Sequence, residues 1–214
     1  METNNNFFYI FLNIKGALYT ADWVKFIQSA NLQNEPEYKA SLEKLLITHK
    51  DWTKFYNQQA YLKPKHIRKI CPYNVMALNR LIDDLKLDYD INLVITSDKW
   101  KESFDLKTIP ALVKNGLNYS GIVLDKTDNY ISDTKEGIFK YLRQVGNPTN
   151  FLVIDYQDCV LSGFDESNTL KVDQYKNGLT DEIVDNFLDS RCDEEFIENE
   201  TEQGLFDDFE LAQI

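Results

Sequence analysis

The stretch Phe7-Phe-Tyr-Ile-Phe-Leu-Asn-Ile14, followed at once by Lys15-Gly16, decides the architecture. So short a run of apolar, mostly aromatic and branched residues reads as a strand buried on both faces, with a turn at Lys15-Gly16. A strand of that kind needs similar neighbours and helices to cover them. Two further runs qualify: Ile91 to Ile95, ending in Thr96-Ser97, and Phe151 to Asp158, FLVIDYQD. Weaker strand patterns occur in Gly121 to Thr127 and in TLKVDQYKNGL from Thr169.

Helical patterns separate these runs. Residues from about Ala21 to Ala60 carry one, with Pro36 placed for a first helical turn and Leu42, Leu45, Leu46 and Trp52 near one face. Pro72 opens an amphipathic helix to about Leu85, with Val75, Leu78, Leu81, Ile82 and Leu85 at helical spacing. Phe104 to Asn115 ends at Gly116, Asp133 to Gln144 is followed by Gly146, and Thr180 is a candidate N-cap for a last helix. Strands alternating with helices imply an α/β fold: three layers, with a mainly parallel sheet covered on both faces. Sites in such sheets lie at the carboxyl ends of the strands. That rule selects Asn13 and Lys15, then Thr96 and Ser97, then Asp155, Tyr156 and Asp158.

Composition narrows the function classes. A chain of 214 residues holds one sizeable domain with room for an elaboration, and needs no disulfide or metal staple. Cys71, Cys159 and Cys192 are odd in number and scattered, which predicts free thiols in a reducing compartment. His49 and His66 are too few for a multi-histidine metal centre. No basic leader precedes the first apolar run, and no stretch reaches the ~18 apolar residues of a membrane helix. The expected location is the cytoplasm. The net charge is −12, and residues 189–214 hold ten acids and one base, so −9 of it belongs to the C-terminal end. Such a balance argues against general attraction to nucleic acid.

The strand-end clusters, in this order, resemble the haloacid dehalogenase superfamily. The resemblance is closest to the phosphatase-like domain of Swiss Army knife RNA-repair proteins. Phe11-Leu-Asn-Ile-Lys-Gly-Ala-Leu18 stands where that family has an FLDIDGVL-type motif. Thr96-Ser-Asp-Lys-Trp-Lys101 stands for its SSWR-like motif, and Lys135 for the basic residue opening the next helix. Val153-Ile-Asp-Tyr-Gln-Asp158 matches the closing acidic strand, and KVDQYKNGLTDEIVDNFL the family's ending. The resemblance implies a Rossmannoid domain over 1–189, with a helical insertion at about 20–68 after the first strand. A flexible acidic tail at 190–214 follows.

The departures carry the functional reading. The resemblance implies that the first acid of the opening motif attacks phosphorus and binds magnesium; here it is Asn13. An amide has neither the charge nor the basicity to form a phospho-enzyme. The second acid, a proton donor and later a base, is here Lys15, a poor base near its usual pKa of ~10.4. Of the closing acidic pair Asp155 remains, beside Tyr156. The degenerate positions are therefore Asn13, Lys15, Thr96, Lys135, Asp155 and Tyr156, with no catalytic residue expected. No metal or other cofactor is expected either; magnesium on Asp155 belongs only to an active site.

Two readings stay open for what is left. Thr96, Ser97 and Lys135 can form a residual anion pocket, or Lys15 pairs with Asp155 in the metal's place. The second is favoured, because an uncompensated buried carboxylate is costly. Asp158 reads as a solvated turn. Lys63, Lys65, Arg68 and Lys69 read as solvated surface before an anion-binding lip, and the aromatics Trp23, Phe26, Trp52, Phe55, Tyr56 and Tyr61 as core before contact surface. The tail is either a solvated terminus or a short motif in which Phe206, Asp207, Asp208 and Phe209 engage a partner. The expected function is therefore non-catalytic: binding a protein with a basic surface, as an inhibitor, immunity-type protein or regulatory subunit. No membrane role is expected, and nucleic acid is not the expected partner. The alternatives are a magnesium-dependent phosphatase on nucleic-acid ends or nucleotides, and a phosphate- or nucleotide-sensing domain.

Overall fold

The computed structural model describes residues 6–24, 70–101, 104–128 and 133–191. Five parallel strands form one sheet: β1 (Phe7–Leu12), β2 (Asp90–Ile95), β3 (Ile122–Lys126), β4 (Phe151–Asp155) and β5 (Thr169–Lys171). Their order is β3-β2-β1-β4-β5, so the chain winds outward in both directions from β1. Around it lie α1 (Pro72–Leu85), α2 (Ile109–Lys114), α3 (Thr134–Gln144) and α4 (181–191). This is the parallel α/β architecture implied by the strand–helix alternation.

Alternation along β1 splits the core in two. Phe8, Ile10 and Leu12 join Ile91, Leu93, Ile95, Leu152 and Ile154 on one face, against the apolar stripe of α1 and Val184 and Phe187 of α4. Tyr9 and Phe11 point to the other face with Val94 and Val153, where Ile138, Tyr141 and Leu142 of α3 cover them. Because both faces are buried, β1 shows no polar alternation in sequence.

The helix ends follow local chemistry. Pro72 needs no intrahelical donor at the first turn of α1. The Asp133 carboxylate accepts from the Glu136 amide at 2.9 Å and starts α3. The Thr180 hydroxyl accepts from the Ile183 amide at 3.3 Å and caps α4. Gly116 and Gly146, at φ +100° and +93°, end α2 and α3 in the left-handed region. Two elements differ from the sequence reading. Phe104 to Asn115 is a π-helical turn at Phe104–Thr108 running into α2, and the strand from Thr169 stops after three residues. The last helix spans residues 181–191, starting at the expected Thr180 cap. The greater part of the insertion at about 20–68, the patch at 63–69 and the tail from residue 192 lie outside the described residues. So do Phe206, Asp207, Asp208 and Phe209, together with Phe26, Trp52, Phe55, Tyr56, Tyr61, His49, His66 and Cys192.

Register sets the site. Leu12 lies opposite both Ile95 and Ile154, so β1 and β2 end level and β4 runs one residue further, to Asp155. The ladder continues one step further: the Asn13 amide donates to the Ile154 carbonyl and the Thr96 amide to the Leu12 carbonyl, each at 3.0 Å. The next residues of three strands therefore converge.

Candidate functional site

Asn13 sits at the centre of that convergence. Its Nδ2 donates to Asp155 Oδ2 at 2.9 Å, and its Oδ1 accepts from the Ser97 hydroxyl at 2.5 Å. The other carboxylate oxygen, Oδ1 of Asp155, accepts from the Tyr156 amide at 2.7 Å and the Gln157 amide at 3.0 Å. The chain turns immediately after β4, and that turn aims both amides back at the side chain. Ser97 Oγ also accepts from the Lys15 amide at 3.4 Å. An ionised carboxylate can only accept, so the Asn13 amide must present its nitrogen to Asp155 and its oxygen to Ser97. Asn13, Thr96, Ser97 and Asp155 are all buried, Asp155 to 1 % exposure.

Burial pushes the Asp155 carboxyl above the ordinary aspartate range, and the three hydrogen bonds it accepts pull the other way without cancelling the rise. This is what a carboxylate with donors but no full counter-charge experiences.

The expected Lys15–Asp155 pair does not form. Lys15 is exposed, and its ammonium stands 5.5 Å from the centroid of the Tyr156 ring. The cause is the turn. Lys15 has extended backbone (φ −70°, ψ 122°) ahead of Gly16 at φ +94°, and its side chain lies on the exposed side of that turn. A Cβ on Gly16 would come within 2.5 Å of the Tyr156 ring, so glycine here allows both the turn and the approach of that ring. Asn13, not Lys15, compensates Asp155.

Lys135 lies in the first turn of α3 with its chain end against Gly163. Neither hydrogen bond nor ion pair joins it to Asn13, Ser97 or Asp155. Thr96 and Ser97 are thus brought to Asn13, and Lys135 is not bonded to them. Asp158 pairs with Lys171 at 2.6 Å on the surface, in agreement with a solvated turn. Trp23 is buried, as a core residue should be. Cys71 and Cys159 are free thiols, and burial pushes the Cys71 thiol up to about 12, which removes it as a nucleophile at neutral pH.

Sequence reasoning missed Asn74. Its amide donates to the Ala17 carbonyl at 2.8 Å and the Asn177 carbonyl at 2.6 Å, tying α1 to the turn after β1 and to the loop before α4. Its place at one-turn spacing from Leu78 was the available signal.

The resemblance implies a magnesium ion at this sheet end, and the residues present do not fit one. A hard cation needs several oxygen ligands turned toward it. Here one carboxylate remains, three donors already point at it, and one of these is the Asn13 amide nitrogen. Among the described residues, no group of three or more His, Cys, Asp or Glu could hold a metal. No helix of the described residues is long and apolar enough to cross a membrane. No protein-family model matches the chain, and neither a curated protein nor a solved structure matches it.

Proposed function

We propose that the chain is a catalytically inactive phosphatase-like protein of haloacid-dehalogenase type that acts by binding a macromolecular partner. The observation behind this reading is the state of position 13. The nucleophile's place holds an amide whose oxygen and nitrogen are both committed to Ser97 and Asp155. A residue so engaged has no lone pair of useful basicity to offer phosphorus. Lys15, in the acid–base position, faces away from Asp155 over an aromatic ring. The partner suggested by the charge is a protein with a basic surface, since −9 of the −12 net charge lies in residues 189–214.

The test is reconstitution. Full-length chain is incubated with extract from its own host at low salt, and the co-eluting protein is identified and purified. The proposal expects a saturable complex between the two pure components that weakens as salt rises. Capture of only a nucleotide or inorganic phosphate would contradict it.

A second reading, a phosphate- or nucleotide-sensing domain, draws on Lys15 and Lys135. Both flank the carboxyl end of the sheet, and neither has an anionic partner among the described residues. Equilibrium dialysis with inorganic phosphate separates the readings, because a sensor binds it through these lysines and the partner-binding protein does not need it. An active magnesium phosphatase would require a nucleophile other than Asn13.

A further inference from the structure

We propose that Asn13 is an internal substitute for a cation: its amide latches Ser97 to Asp155 and closes the sheet end to divalent metals. The inference deepens the non-catalytic reading and rests on it at this one position. The geometry has three parts. Asn13 Nδ2 lies 2.9 Å from Asp155 Oδ2, the Ser97 hydroxyl holds Asn13 Oδ1 at 2.5 Å, and two backbone amides hold Asp155 Oδ1. In each of these four bonds a donor faces an acceptor. The latch is directional, running from hydroxyl to amide to carboxylate.

An octahedral magnesium ion with bonds of ~2.0–2.1 Å spans ligand oxygens ~2.9 Å apart along an edge. The Asn13–Asp155 separation has that length. One partner presents hydrogens instead of a lone pair, so the edge is filled by an N–H bond and offers a cation one oxygen, already engaged. Asn13→Asp should convert the edge into two facing carboxylates. Without a cation these repel, or hold one proton between them.

Exchanging the two residues, Asn13→Asp with Asp155→Asn, preserves every bond. Asn at 155 still accepts the Tyr156 and Gln157 amides through its oxygen and donates its nitrogen to the carboxylate at 13. That carboxylate still accepts from Ser97. The exchange therefore tests the latch without depending on any single destabilised variant.

Melting temperatures are measured for wild type, Asn13→Asp and the exchanged pair, in chelator and in millimolar magnesium at neutral pH. Wild type and the exchanged pair are expected to melt within a degree or two of each other, unmoved by magnesium. Asn13→Asp is expected to melt several degrees lower in chelator and to recover with magnesium. If Asn13→Asp does not fold in chelator, the exchanged pair still decides, since its folding requires only the conserved bonds. A magnesium-dependent rise in the wild type would overturn the proposal, as would an exchanged pair as unstable as Asn13→Asp. Failure to find a macromolecular partner leaves these results untouched, which keeps the two readings separable.

Discussion

Among the described residues, the Ser97 hydroxyl is the one donor to Asn13 Oδ1, and its loss isolates a buried acceptor. Ser97→Ala should therefore cost ~1–3 kcal/mol, the usual penalty for leaving a buried polar group unsatisfied, read from urea unfolding. Asp155 adds a pH signature. The carboxyl of an unfolded chain titrates near ~3.9, and the folded value is raised by burial. Between the two values the folded protein holds a proton that the unfolded chain has released. The group's stabilising contribution is thus complete below the unfolded value and is lost as pH rises through the folded one. Denaturation at a series of pH values should show that loss in wild type and not in Asp155→Asn, whose amide can reverse the hydrogen-bond chain. Parallel pH profiles would refute this. At this scale the sequence placed Asn13, Ser97 and Asp155 at one sheet end, where they are hydrogen-bonded, but paired Asp155 with Lys15 instead of Asn13. Asn13 and Asp155 end apolar strands and could be read directly. The direction of Lys15 depends on the backbone of the turn after β1, which spacing does not reveal.

Elements were legible where burial imposes a period. β1 and β4 are continuous apolar runs, and α1 carries its stripe at Val75, Leu78, Leu81, Ile82 and Leu85. The π-helical turn at Phe104–Thr108 and the three-residue β5 are too short to carry a hydrophobic repeat that could be read. Asn74 shows a related limit: its spacing from Leu78 puts it on the buried face of α1, but a helical period does not reveal the two carbonyls it binds there. The Ala17 carbonyl also accepts from Leu179 at 2.9 Å, so it keeps a donor if Asn74 is lost. The Asn177 carbonyl is the one exposed to loss. Asn177 is exposed, so water can replace the lost donor; Asn74→Ala should cost ~0.5–1.5 kcal/mol, the net worth of an ordinary hydrogen bond, with faster hydrogen exchange in the 173–178 loop while β1 stays protected. Uniform loss of protection across both would show that Asn74 supports the whole core and not that junction.

For the whole molecule, net charge is unevenly distributed along the sequence. Outside residues 189–214 there are 25 acids and 22 bases, a net of −3, and this body contains both core clusters. Deleting residues from 193 onward should leave the circular dichroism spectrum unchanged and slow association with a basic partner, with little effect on dissociation. Unfolding on deletion would show that the removed segment belongs to the core. The central claim, a phosphatase-like sheet end without its chemistry, is tested most directly by phosphate release from aryl phosphates and from RNA 3′- and 5′-phosphates. Wild type and Asn13→Ala are assayed side by side in magnesium. No release above background is expected from either protein. Turnover by the wild type that disappears in Asn13→Ala would contradict the claim.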